Sequence, residues 1–296
     1  MSNAGRGGTR VRLATGLIMA ALVLTVLWVP ALYWVVDLLV ALLVAQGLRE
    51  YCAMARAAGI DVMPRMAILT GVGLVLFNGL ALFLWWRRMG GTPVVSGLPG
   101  ALIVLACARL LTGRHDLRGM AADFFGVAYV AGLACYMLAM HHNSDMGPGL
   151  VTFLLVAVAF SDTGAYFIGR AFGRHKMAPV TSPKKSWEGA AGGVVFAMLS
   201  VLVLWALVRH FQWQRWYPPV VPWVWAILAA GLSVVSQLGD LAESMIKREA
   251  GVKDASQIFP GHGGVLDRCD GLLFAAPALY YLYAGGVALA WIIINR

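Results

Sequence analysis

The chain has 296 residues, of which 60% are hydrophobic and only 12% charged, and its net charge is +9. Soluble domains carry about 25% charged residues. Here the deficit runs along the whole length, which excludes a soluble globular protein with one buried helix and implies a polytopic membrane protein. No segment shows the period-2 alternation of a membrane β-barrel, so the expected fold is an all-α integral membrane protein.

About 20 apolar residues cross the hydrocarbon core of a bilayer. In chain order the candidate spans are 13–29, 31–47, 67–85, 98–112, 124–142, 149–170, 189–208, 221–247 and 271–293. The expected count is about nine; the fourth is short and the first two turn tightly about Pro30, so eight is the alternative. Arg6, Arg10 and Arg12 precede the first span, as in a signal peptide. No small-x-small cleavage site follows, and LTVLWVPALYW continues into the second span, so a retained first helix is expected.

With nine spans and a cytosolic N-terminus, 18 of the 23 Lys and Arg residues lie inside. Only Arg87, Arg88, Arg209, Arg215 and Arg296 lie outside. This is the positive-inside bias. It explains the basic charge without nucleic acid and gives a cytosolic face that attracts anionic membrane lipids. Cys52, Cys107, Cys135 and Cys269 lie far apart with no CxxC pair, so neither a disulfide framework nor a zinc site is suggested.

The two halves differ. Residues 1–148 read as a scaffold of spans with Asp37 as the one mid-span acid. Residues 149–296 carry three polar stretches, all cytosolic in this topology. In the first, Asp162 falls near the middle of a span, where a charge needs a partner or a wet cavity. Tyr166 follows on the same face. TSPKKSWEG then places Ser182, Lys184 and Lys185 before a helix start, an arrangement suited to phosphate. In the second stretch, Asp240, Ser244 and Lys247 share one helix face, with Arg248 adjacent. Its plainer reading is an amphipathic helix end with snorkelling cations.

The third stretch is FPGHGGVLDRCDG, from Phe259 to Gly271. Its glycines permit a tight turn and close backbone approach to a ligand. Asp267 and Asp270 share a face if the last helix begins there. Carboxylates at a helix start also suit the macrodipole, but that does not account for His262, Arg268 or the glycines. Oxygen-only ligands of this kind suit Mg²⁺.

SMIKREAGVKDASQIFPGHGGVLDRCD, from Ser244 to Asp270, resembles the signature of the phosphatidate cytidylyltransferases, or CDP-diacylglycerol synthases. Every fixed position of that signature is met; Cys269 stands where an aliphatic residue or threonine is usual. The segments SDTGAY, SPKKSWEG and GDLAES are similar to the family's upstream pattern. The resemblance is strong over about 160–271, whereas over 1–150 it extends only to hydropathy and length.

The resemblance implies transfer of the cytidylyl group of CTP to phosphatidate, releasing pyrophosphate; the topology puts the site on the cytosolic side, and the compact length suggests the inner membrane of a bacterium. It further implies that Asp240 and Asp267 ligate Mg²⁺, with Asp270 beside them and Asp162 serving a second cation or orienting the basic cluster. Lys247 and Arg248 would stabilise the reacting phosphates. Ser182, Lys184, Lys185, Ser244 and Arg268 would bind phosphate groups, and His262, Gly263 and Gly264 would shape the turn. A related CTP-dependent lipid enzyme, such as a polyprenol kinase, is the nearest alternative. An ion-coupled transporter would need midplane acids in paired repeats, and no repeat is visible. The small-residue face GAAGGVVFA would serve helix packing within or between subunits, including a homodimer.

Overall fold

The computed structural model describes residues 21–82, 97–142, 146–218, 221–258 and 263–294, with side chains through Gly285. His262, in the third polar stretch, lies outside the described residues. The chain forms α1 (21–28), α2 (Tyr33–Ala57), α3 (Pro64–Ala81) and α4 (Leu98–Leu111). These are followed by α5 (Leu117–His142), α6 (Gly147–Phe172), α7 (Trp187–His210), α8 (Pro222–Glu249) and α9 (Leu266–Ile294). A helix stands at the centre of each expected span.

Among the described residues, six helices are long and apolar enough to cross a membrane: α2 with its leading turn, α3, α5, α6, α7 and α8. The chain is thus a helical integral membrane protein. The short fourth segment is a helix of only 14 residues, too brief to meet that criterion. Local chemistry sets several helix starts. Pro64, Pro99, Pro148 and Pro222 occupy the first turns of α3, α4, α6 and α8, where a missing N–H costs nothing. Ser186 caps α7 by accepting from Gly189 N–H at 3.2 Å.

The helices are joined at one point by a short hairpin. Lys176–Ala178 (β1) and Ser182–Ser186 (β2) pair antiparallel between α6 and α7. The segment is too short and too rich in Lys and Pro to show alternation by eye. Glu188, in the first turn of α7, holds the hairpin's entry by accepting from the Arg174 and His175 backbone N–H groups. It also meets His175 Nδ1 at 2.6 Å.

The most extensive helix packing is α6 on α7, α8 on α9, α7 on α8 and α2 on α3. In α5, 72% of the membrane-length window is buried, against 33–44% for the other five, so α5 is the central helix. Its middle, Val127–Gly132, is a π-helical turn. Large apolar side chains such as Leu69, Leu76, Val203 and Ile227 face outward, as lipid contact requires.

The first half carries more internal acids than Asp37. Glu50 and Asp123 also lie within helices and are 2% and 0% exposed, because α2 and α5 extend well past the expected spans. Asp37 itself meets His142 Nε2 at 2.7 Å. Asp123 accepts from Met63 N–H at 2.8 Å and from Arg109 Nε at 2.9 Å.

Candidate active site

Packing α6 against α7 and α8, with the β1–β2 hairpin across one end, leaves a cleft of about 490 Å³. Asp162, Tyr166 and Arg170 line it from successive turns of α6, an i, i+4, i+8 row on one face. Lys176 enters from β1, Lys184 and Lys185 from β2, and Gln237 and Asp240 from α8. Four cations thus face two carboxylates in one concavity. Lys185 Nζ reaches Asp240 Oδ2 at 2.7 Å and the Gln237 carbonyl at 3.4 Å, which ties the hairpin to α8.

Gln237 is fixed from behind. Its Nε2 donates to the Ala190 carbonyl at 3.2 Å and to Ser233 Oγ at 3.1 Å. Ser233 Oγ in turn meets Ser161 Oγ at 2.7 Å, so a buried polar seam joins α6, α7 and α8 directly beneath Asp162 and Asp240.

Beside the cleft lies an acidic array at the α8–α9 seam. One oxygen each from Asp240, Glu243 and Asp270 fall within 4.8 Å of one another. Close approach of the helices makes this possible: a Cβ on Gly239 would meet the Asp270 carbonyl and Phe274. Asp270 accepts from the Gly271 N–H at 2.7 Å, and Ser244 Oγ donates to Asp240 Oδ1 at 3.4 Å. Glu243 is 0% exposed; Lys247 Nζ bonds its Oε2 at 2.5 Å, its Oε1 accepts from no N–H or hydroxyl among the described residues, and its carboxyl lies within hydrogen-bonding reach of that of Asp270.

Lys247 extends the array to Asp267, whose Oδ1 lies 2.7 Å from Nζ. Asp267 Oδ2 accepts from the backbone N–H groups of Ala255 at 2.9 Å and Gly264 at 2.7 Å. The side chain therefore closes the loop that precedes α9, as acids favoured at a helix start do. Gly263 in that loop has φ +80°, a left-handed conformation open to glycine at no steric cost.

Glu50, from α2, was not singled out by sequence reasoning. Its Oε1 accepts from Ser256 Oγ at 2.7 Å and Val265 N–H at 3.0 Å, and its Oε2 from Leu266 N–H at 2.8 Å. It occupies the space where Gly264 would carry a Cβ. The start of α9, and with it Asp267 and Asp270, is thus fastened to the first half of the chain. Glu243 was also missed, because its spacing to Lys247 reads as an ordinary i, i+4 surface pair.

The other expected residues fall around these two centres. Arg248 donates from Nε to the Thr181 carbonyl and from Nη1 to the Val252 carbonyl, both at 3.1 Å, bracing the hairpin turn against the end of α8. Ser182 opens β2 but does not line the cleft. Arg268 lies next to Asp267 on α9, and its charge, like that of Lys185, acts on Asp162.

The sequence matches the cytidylyltransferase family over residues 10–285. It is 38% identical over 242 residues to a phosphatidate cytidylyltransferase of Brucella suis, covering 72% of this chain and 84% of that protein. To one from Mycobacterium bovis it is 32% identical over 295 residues, covering 94% and 89%. To one from Haemophilus influenzae it is 44% identical over 158 residues, covering 53% and 54%.

Proposed function

The chain belongs to the cytidylyltransferase family, and from that premise we propose how its two centres work together. The enzyme is a phosphatidate cytidylyltransferase: it transfers the cytidylyl group of CTP to phosphatidate, yielding CDP-diacylglycerol and pyrophosphate. The observation that carries the mechanistic reading is the juxtaposition of the cationic cleft with the acidic array, joined at Asp240. Both substrates are polyanions, and transfer at phosphorus is catalysed mainly by positioning and charge stabilisation.

The acidic array suits a hard divalent cation. Its donors are all carboxylate oxygens, three acids converge there, and Glu243 Oε1 is buried and accepts from no N–H or hydroxyl among the described residues. Asp240, Glu243 and Asp270 would hold Mg²⁺, with Asp267, the other expected ligand, reaching the array through Lys247. Bound there, Mg²⁺ supplies neutralisation of the triphosphate and of the leaving pyrophosphate.

The chain's own groups do the rest. Arg170, Lys176, Lys184 and Lys185 collect the phosphates in the cleft, with Lys185 oriented by Asp240. Ser244 is aimed at the same carboxylate. Lys247, held between Glu243 and Asp267, would present a fixed cation to the reacting phosphates. An oxygen of the phosphatidate phosphate attacks the α-phosphorus of CTP, and the bond from that phosphorus to the bridging oxygen of the β-phosphate breaks. The attacking phosphate is already ionised near neutral pH, so no general base is required. The basic residues around the cleft favour the cytosolic side of a bacterial inner membrane, where nucleotide and lipid phosphate meet.

CTP labelled at either the α- or the γ-phosphorus, supplied with phosphatidate, tests this reading. The α-label should enter the lipid fraction and the γ-label should leave as pyrophosphate. A γ-label in the lipid, with CDP released, would make the protein a kinase and overturn the assignment.

A further inference from the structure

Tyr129 projects from the π-helical turn of α5, in the half of the chain that carries none of the signature. A π turn inserts one residue into a helix and re-aims the side chains on it, and such turns concentrate at functional sites. The Tyr129 ring stacks on Phe125 at 5.7 Å between centroids and meets Phe274 of α9 edge-on at 6.0 Å. Phe274 stands one turn beyond Asp270 on the same face of α9 and packs against Gly239, one turn before Glu243 on α8. Tyr129 therefore abuts the seam that carries the acidic array.

Its hydroxyl is buried and has no hydrogen-bond partner among the described residues. The charges of Glu243, Asp270 and Asp240 act on it. Tyr51, in the same aromatic row, differs: its hydroxyl donates to the Ala122 carbonyl at 2.9 Å and is satisfied by the fold. A buried O–H donor left unmet is unfavourable, so the Tyr129 hydroxyl calls for a small polar partner.

We propose that Tyr129 is a ligand-binding residue of the acidic array, its hydroxyl donating to an oxygen of the water or phosphate carried by the cation at Asp240, Glu243 and Asp270. The inference rests on the cation reading above. It brings the central helix, and not only the signature, into the active site.

The test is Mn²⁺ binding by purified full-length protein, followed by paramagnetic resonance, together with thermal unfolding of the metal-free form. Tyr129→Phe keeps the ring and removes the donor. It should raise the Mn²⁺ dissociation constant by about tenfold, the scale of lost outer-shell hydrogen bonds at metal sites, without lowering the unfolding temperature. Tyr51→Phe should do the reverse, lowering the unfolding temperature and leaving Mn²⁺ affinity alone. Repeating the titration with inorganic pyrophosphate separates the sources: a loss seen without it assigns the donor to water, and a loss seen only with it assigns the donor to phosphate. Unchanged Mn²⁺ affinity in Tyr129→Phe under both conditions overturns the role of Tyr129 and leaves the cation reading standing. A wild-type protein that binds no Mn²⁺ overturns both.

Discussion

Two clusters of charge are built into this membrane protein, and they are finished differently. Around Arg109, at the end of α4, every strong group has an answer. The guanidinium meets Asp116 at 2.7 Å, Asp123 at 2.8 Å and the Asp61 carbonyl. Asp123 spends its other oxygen on the Met63 N–H. Asp116, in the loop ahead of α5, is held below the usual carboxylate range by the Gly119 N–H it accepts and by Arg109. At the α8–α9 seam, by contrast, three acids converge on two lysines: Lys185 answers Asp240, Lys247 answers one oxygen of Glu243, and the other oxygen of Glu243 accepts from no N–H or hydroxyl among the described residues. A charge network that serves only the fold closes on itself, because unmet buried charge is costly. One that serves a ligand, as proposed for this seam, keeps acceptors for it.

That contrast can be broken by mutation. Asp267→Asn should abolish turnover, since it weakens the hold on Lys247 and on the loop before α9; near wild-type formation of CDP-diacylglycerol by the purified variant would remove Asp267 from the site. Lys247→Ala should lower the rate by at least about tenfold, as expected for loss of one charge-stabilising group, and an unchanged rate would show that the ammonium is structural. Asp123→Asn at the closed cluster should behave oppositely. It should destabilise the detergent-solubilised protein by about 3 kcal/mol, the cost of leaving a buried cation short of its partner, while the folded fraction keeps the wild-type Mg²⁺ dependence. Glu50→Gln should have the smallest effect, a fall of several-fold in kcat with little change in KM. The amide keeps the shape but offers one acceptor where two oxygens receive three donors from the signature loop. Equal losses in Glu50→Gln and Glu50→Ala would reduce its role to packing.

Much of this arrangement was legible in the sequence, for physical reasons. Six of the expected spans stand as membrane-length helices among the described residues, legible because a bilayer demands long apolar helices, and Asp162 stood out because a mid-span acid needs a reason. Asp240, Ser244 and Lys247 were placed on one face by helical period alone, and Ser244 does reach Asp240. The missing parts depend on long-range contact. Glu50 is fastened to residues more than 200 positions away, and no local pattern distinguishes it from a span-end acid. Glu243 reads as an ordinary ion-pair partner until α9 brings Asp270 beside it. The hairpin at 176–186 is held by Glu188 and by the helices it bridges, none of which alternation can reveal.

The central claim is that the open acids at the α8–α9 seam hold the catalytic cation, and a Mg²⁺ titration of pyrophosphate release from CTP and phosphatidate addresses it most directly, run on wild type, Glu243→Gln and Asp123→Asn in parallel. The account predicts saturable Mg²⁺ dependence in wild type and in folded Asp123→Asn, and a half-saturating Mg²⁺ concentration raised by about a hundredfold or more in Glu243→Gln. The same half-saturating concentration in Glu243→Gln as in wild type would contradict it.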